Sequence, residues 1–368
     1  MAITAYSRSF KRELDVSQVK NLFQKIQSDI DFSEFIKVDI ECPCCGVIGA
    51  RVVSESISPT TNLAVKQAYF AFKNDSGVDA HLLYCDYYAG QENRLHTDKE
   101  SIINLSRSGN EITEAIRKLV CSAISNNYFN QIDIRNMRQW FYDMRSNQDF
   151  LVVSSKHQLN VLRKTIVRDK RNTDEYKVDK DLLKYEWFDL DNEVYESLAT
   201  KFPFPYKVKE INGLNYIFSK KSIIKKATSI SNKNSGLYEF DRYRLDDKYK
   251  LATRLSIHII NNDKFFFHKI GSSVAKARAN NPLMAYSATL LFVNDWDYKK
   301  SCTMHNDIIL SSTEDFNLGN TIGLNPFIHY DAWLALRFTS NWMKNFPDFD
   351  FDSEFLKEKQ RLKEIYGI

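Results

Sequence analysis

Glu41-Cys42-Pro43-Cys44-Cys45-Gly46 and, further along, His81-Leu82-Leu83-Tyr84-Cys85 are the two stretches on which the reading of this chain turns. Together they spell C-x2-C-x35-H-x3-C. Pro43 and Gly46 bracket a tight turn that brings both thiolates of a C-x2-C pair to one cation, and a glycine after the second cysteine tolerates φ > 0. A histidine and a cysteine four apart can meet the same ion from one helical turn or a tight loop. The expected ligand set is Cys42, Cys45, His81 and Cys85, four N/S donors in the number and type of a closed tetrahedral site. Cys44 is an alternative to one of its neighbours, and His96 to His81. Buried thiols without a metal are the plain alternative. A closed set leaves no position for water or substrate, so the expected cofactor is structural Zn²⁺ that supplies folding energy to a segment with little core of its own.

Working outward, the strands expected around these ligands are short. IKVDI (36–40), ARVVSES (50–56) and AYFAFK (68–73) alternate with turn residues Pro43, Gly46, Gly49, Pro59 and Gly77. This reads as a small β-meander. The order of knuckle, hairpin, aromatic strand Ala68-Tyr69-Phe70-Ala71-Phe72-Lys73, then His81 and Cys85, resembles the zinc-finger-like N-terminal region of the competence-protein CoiA family. It is also similar to zinc ribbons on bacterial and phage nucleic-acid proteins. The resemblance covers residues 38–90, and Phe72 stands where the family pattern has a histidine. It implies a DNA- or RNA-associated context, such as phage defence or DNA uptake, and the family commonly adds a PD-(D/E)xK nuclease domain.

The chain has 368 residues, 43% apolar and 13% aromatic, with only 11 glycines and 7 prolines, so it can bury sizeable cores and is neither collagen-like nor disordered. No apolar run approaches the ~18 residues of a membrane span. Met1 to Leu14 show no signal-like apolar region. Three of the six cysteines fall within four positions, which reads as metal chemistry in a reducing cytoplasm. Cys121 and Cys302 read as ordinary thiols.

The expected fold class is α+β: a small zinc-ribbon β-module with flanking helices, followed by a larger mixed α/β or β-rich domain. The expected divisions are an N-terminal helical segment (1–35), the ribbon (36–95), a helical segment (96–166) and a C-terminal domain (182–368). Asp15 to Ser28 reads as a helix with an Asp15/Gln18 capping box. Residues 108–127 read as a helix capped by Ser108 and Glu111, with a Glu114/Lys118 pair. A second helix is expected over Ile134–Met144. Residues 167–181 read as a solvated loop. Leu255, Ile257 and Ile259 alternate with polar residues, and with Phe265–Lys269 they read as a β-hairpin. Ala285–Asn294 reads as a buried strand, and Tyr330–Phe346 and Ser353–Tyr366 as closing helices.

A catalytic centre is harder to read. The best D-x-K is Asp297-Tyr298-Lys299, after the apolar run Thr289–Val293, with Asp295 or Asp241 as a second carboxylate for Mg²⁺. Asp348, Asp350, Asp352 and Glu354 can hold a cation, but acidic residues at a helix N-terminus are favoured by the macrodipole without one. His258, His268, His305 and His329 are scattered and read as structural. No phosphate-binding glycine loop, nucleophile elbow or zincin motif occurs.

The net charge of +4 is unevenly spread. Residues 201–233 carry eight lysines and one acidic residue, while 185–200 carry five acids and no base. Lys207, Lys209, Lys220, Lys221, Lys225 and Lys226 are interleaved with Phe202, Phe204, Tyr206, Tyr216 and Phe218. Cations neutralise phosphates and exposed aromatics stack on bases, so this segment is the expected nucleic-acid contact. The leading expectation is a zinc-ribbon protein that binds DNA or RNA, with no membrane partner. A protein-interaction subunit and a metal-dependent nuclease are the other two readings.

Overall fold

A computed structural model describes residues 2–26, 29–57, 64–66, 68–74, 76–82, 85, 87–88, 101–104, 110–147, 149–152, 155–167, 176–202, 214–234, 236–311 and 322–368. In chain order the first elements are β1 (Thr4–Ser7), β2 (Arg12–Asp15), α1 (Val16–Phe23), α2 (Phe32–Asp39), β3 (Ile40–Glu41), β4 (Ala50–Val53), β5 (Ser56–Ile57), β6 (Ala64–Lys66), β7 (Tyr69–Phe72) and β8 (Ile102–Asn104). Then come α3 (Glu111–Ser125), α4 (Gln131–Arg145), β9 (Phe150–Leu151), α5 (Lys156–Val167), α6 (Leu190–Thr200), α7 (Leu214–Ser219), α8 (Lys221–Asn234) and β10 (Tyr238–Glu239). The last are α9 (Asp246–Asn262), α10 (Lys264–Ile270), α11 (Val274–Ala279), α12 (Asn281–Val293), α13 (Tyr298–Leu310), β11 (Ile322–Leu324), α14 (Tyr330–Met343) and α15 (Phe351–Tyr366). The class is α+β, mostly helical with small antiparallel sheets. Among the described residues, no helix is long and apolar enough to cross a membrane.

The chain divides into two units: Met1–Arg145 with Leu245–Ile328, and Ser146–Arg244 with His329–Ile368. The first opens on a three-stranded sheet of order β2-β1-β3. Asp15 caps α1 through the expected box with Gln18. Under this sheet lie Ala5, Leu14, Val19, Ile36, Ile40, Phe70 and Phe72. Glu13 is buried there too, accepting from the Thr4 hydroxyl at 2.6 Å. Desolvation raises its pKa to about 8.

The helical part of the first unit is built around α12, which packs against α3, α4, α9, α11 and α13. Leu283 through Leu291 are all buried, so α12 has no polar face. This corrects the strand expected at Ala285–Asn294: a continuous apolar run carries no period, and burial on every side suits a central helix as well as a strand. Asn280 caps it, with Pro282 in the first turn. The expected hairpin at 255–269 is corrected for a different reason. Leu-Ser-Ile-His-Ile alternates only locally. Over α9 the buried set is Tyr249, Ala252, Thr253, Leu255, Ser256, Ile259 and Ile260, a helical period that a five-residue window hides. Asp263 caps the next helix, where a hairpin turn was expected. IKVDI is likewise corrected: all of it but Ile40 lies in α2, capped by Asp31. Helix α3 is capped by Asn110, whose Oδ1 accepts from Ile112 and Thr113 N–H; Ser108 lies outside the described residues. The Glu114–Lys118 pair forms at 3.2 Å.

In the second unit α5 packs against α6, α7, α8, α14 and α15. Phe202 sits in an aromatic cluster with Trp342, Phe346, Phe349 and Phe351, ring centroids 4.9–5.4 Å away. Both closing helices form, as α14 and α15. The C-terminal stretch expected to be mixed α/β or β-rich is therefore predominantly helical.

Candidate metal centre

Strand β3 pairs with β1, Tyr6 opposite Glu41 and Ser7 opposite Ile40, and delivers Cys42 from a fixed strand end. The backbone then reverses. Cys42 N–H donates to Val47 O and Gly46 N–H donates to Cys42 O, each at 2.9 Å. Gly46 has φ +72°, so the conformation favours glycine, and a Cβ there would lie 2.5 Å from Arg135 Nη1 and push that guanidinium aside. Arg135 reaches the turn from α4 and pairs with Glu41 at 2.6 Å, both side chains largely buried. That ion pair ties the turn to the helical part of the unit.

The second pair of ligands is brought across by β4 and β7, which pair antiparallel with Ala50 opposite Phe72 and Val53 opposite Tyr69. After β7 the chain turns: Val78 N–H donates to Asn74 Oδ1 and His81 N–H donates to Asp79 Oδ1, each at 2.9 Å. Cys85 N–H closes on Leu82 O at 2.9 Å. Phe72 and Tyr87 flank the His81 ring at centroid distances of 5.1 and 5.8 Å. Phe72 thus packs the imidazole in place.

The ligand atoms of Cys42, Cys45, His81 and Cys85 all lie within 4.8 Å of one another. Cys42 Sγ is 3.6 Å from Cys85 Sγ. His81 Nδ1 is 3.5 Å from Cys45 Sγ and 3.4 Å from Cys85 Sγ. Metal bonds of about 2.3 Å to sulfur and about 2.0–2.1 Å to nitrogen set tetrahedral edges of about 3.8 Å for S···S and about 3.6 Å for S···N. These three distances are close to such edges, and the set can hold an ion. Backbone N–H groups support two of the sulfurs: Cys44 N–H donates to Cys42 Sγ at 3.4 Å, and Tyr87 N–H to Cys85 Sγ at 3.5 Å. Such donors stabilise thiolate charge and orient the ligands.

The thiols by themselves are poorly matched to burial. Desolvation pushes Cys42 and Cys85 well above the ordinary thiol range. Hydrogen bonds from Cys42 and Cys85 hold Cys45 far below it. One thiolate is accommodated by its neighbours and the others are not, because nothing in the donor set carries the compensating positive charge. A divalent cation bound there would supply it, and its binding would release the remaining protons.

No family model, curated protein or solved structure matches this chain.

The other expected site residues fall elsewhere. Cys44 is buried beside the cluster but outside the four-ligand set. His96, Lys207 and Lys209, with Phe204 and Tyr206, lie outside the described residues. Asp297 is the N-cap of α13, its carboxylate accepting from Lys300 N–H at 3.0 Å. Lys299 is exposed in the first turn of that helix, and the strand expected before Asp297 is α12. Asp241 pairs with Arg337 at 2.7 Å. Asp350 caps α15, with Asp352 and Glu354 in its first turn, the arrangement the macrodipole favours. His305 is buried against the Tyr286 hydroxyl at 3.2 Å, and desolvation lowers its pKa to about 4.

Lys220, Lys221 and Lys225 are exposed at the start of α8, and Lys226 is half-buried. Phe202 and Phe218 are core residues, which corrects their expected place on a base-stacking surface. Tyr216 stays at the surface, with the Lys220 ammonium 5.2 Å from its ring centroid. Sequence reasoning missed Arg135 and Tyr87. The only available sign of Tyr87 is that Cys85-x-Tyr87 repeats the spacing of Cys42-x-Cys44, which places an N–H two residues beyond each sulfur.

Proposed function

We propose that this is a nucleic-acid-binding protein whose N-terminal module is a zinc ribbon stapled by one structural Zn²⁺ on Cys42, Cys45, His81 and Cys85. The observation that carries the proposal is the Cys₃His cluster mounted on two turns and joined by the β4–β7 pairing. Thiolate and imidazole donors favour zinc over the hard cations, and a closed set makes the ion structural. The resemblance to CoiA-like ribbons agrees with that arrangement. The nucleic-acid part rests on the exposed Lys220, Lys221 and Lys225 with Tyr216 beside them. Cations at this density neutralise phosphates, and a surface tyrosine offers a stacking face.

The test is metal analysis of the purified chain together with binding to single- and double-stranded DNA and RNA across a salt series. One zinc per chain is expected, with binding that weakens steeply as salt rises. The double variant Lys221→Glu/Lys225→Glu is expected to reduce the salt slope by about 1 per lost phosphate contact. Absent or salt-insensitive binding sinks the nucleic-acid reading.

A protein-interaction subunit is the second reading, supported by one observation. Tyr185 and Trp187 stack at 5.1 Å while 53% and 68% exposed. A stable protein complex lost on Trp187→Ala, with no nucleic-acid affinity, favours it.

A further inference from the structure

Wholly within the second unit lies a cleft of about 660 Å³, inside the range of small-molecule sites, ~300–1,000 Å³. One wall is a face of α14 and its C-cap: Arg337, Ser340, Asn341 and Lys344 line the cleft at i, i+3, i+4 and i+7, the spacing that sets side chains along one side of a helix. A second wall comes from the β9–β10 pairing, which places Leu151 opposite Tyr238 and carries Asp149 and Asp241 just outside its ends. Phe346 and Phe349, half-buried members of the Phe202 cluster, supply an apolar wall. Tyr238 adds a ring that is 58% exposed.

The hydrogen-bonding capacity of these side chains is one-sided. All four carboxylate oxygens are engaged. Asp149 Oδ1 accepts from Asp241 N–H at 3.1 Å, and Oδ2 pairs with Arg244. Asp241 Oδ1 accepts from Tyr243 N–H at 3.0 Å, and Oδ2 from Arg337 Nε at 2.7 Å. The amide oxygens are engaged as well: Gln158 Oε1 accepts from Ser155 N–H at 2.7 Å, and Asn341 Oδ1 from Lys344 Nζ at 3.3 Å. The donors are not. Among the described residues, the Nη groups of Arg337, the amide nitrogens of Gln158 and Asn341, and the ammonium of Lys344 beyond Asn341 have no hydrogen-bond partner. The guanidinium is held flat by the Tyr243 ring, 4.3 Å from its centroid. Asp149 is matched by Arg244 and Asp241 by Arg337, so Lys344 carries the one charge left over in the lining.

We infer that this cleft binds a small molecule with a flat ring body and a terminal oxyanion, a phosphate monoester or a carboxylate. A ligand here must bring acceptors, because the side chains that remain uncommitted can only donate. It must carry negative charge to match Lys344. The two Nη groups of an oriented guanidinium suit an oxyanion with two oxygens in one plane. The ring body packs against Phe346 and Phe349 and stacks on Tyr238.

The inference is independent of the zinc and nucleic-acid readings. The test is isothermal titration calorimetry of the full-length chain with two sets of probes: AMP, GMP, CMP and UMP for the phosphate, and indole-3-acetate for the carboxylate. Adenosine and indole provide ring bodies without the anion. At least one anionic probe is expected to bind once per chain, about 10-fold or more tighter than its uncharged counterpart, and which set binds identifies the oxyanion. Lys344→Ala is expected to weaken that binding about 10-fold, and Tyr238→Ala about 5-fold. Arg337→Lys keeps the charge, loses the planar fork and is expected to weaken it too. Should Arg337→Lys disturb the fold through Asp241, the other two variants decide, since both side chains are exposed. Absence of saturable binding by every probe overturns the inference. So does equal binding of charged and uncharged rings, or affinity that Lys344→Ala and Tyr238→Ala both leave unchanged.

Discussion

At the candidate metal centre, four side chains from two turns converge on one point, and they share one apolar cluster with short strands and two short helices. In α12, within the same unit, nine consecutive residues from Leu283 to Leu291 are buried, and five other helices pack around them. With a metal bound, the first region would be held by a few strong, directional bonds, whereas the second is held by many weak, non-directional contacts. The first fails when one atom type is removed. The second degrades in proportion to the volume lost. Arg135, with its guanidinium on the Gly46 turn and its backbone in α4, joins the two.

The largest expected effect separates the regions directly. Structural zinc contributes apparent free energies of about 10–16 kcal/mol in isolated finger peptides. Chelation of this chain, or Cys85→Ser, is expected to abolish amide-exchange protection in β4 and β7 while α9 and α12 keep theirs. Simultaneous loss from α12 shows that the regions fold as one, and the contrast is then broken.

Leu291→Ala is the converse. Leu291 is fully buried, and the truncation is expected to cost about 2–5 kcal/mol in denaturant unfolding. One metal ion per chain should remain. A fall in metal content instead shows that the helical core positions the ligands.

Glu13 sharpens the comparison by offering a second buried anion. Where the thiolates need a cation, Glu13 is neutralised by a proton, its folded pKa of about 8 lying above the ordinary 4.5. The folded state therefore binds more protons than the unfolded state between those values, and stability falls as pH rises through that window. Glu13→Gln is expected to remove this slope. Its advantage over wild type should grow by on the order of 3–4 kcal/mol between pH 5 and pH 8. A constant difference across that range shows that Glu13 does not titrate there.

The smallest effect concerns Asp297. As the α13 N-cap, Asp297→Ala is expected to cost about 1 kcal/mol and to leave metal content unchanged. Any Mg²⁺-dependent cleavage of DNA that disappears in this variant restores Asp297 as a catalytic residue.

That Cys42, Cys45, His81 and Cys85 come together was legible because metal chemistry narrows the residue types to cysteine and histidine and the spacing to what a turn can span. The Asp15 cap and helices α3, α4, α14 and α15 were legible because they rest on local spacing. The centre of the first unit was not. Leu-Ser-Ile-His-Ile alternates like a strand, and Ala285–Val293 has no period at all, because α9 is read only over its full length and α12 is apolar on every face. Phe202 and Phe218 beside lysines looked like a stacking surface, and only the packing of Trp342, Phe346 and Phe351 around Phe202 shows one of them as core. By itself, then, the sequence determined which atoms can bind a metal and where several helices start. Only the tertiary structure decided which of five neighbouring donors form the set, through the β4–β7 register, and which apolar runs are helices, because burial depends on partners that are distant in the chain.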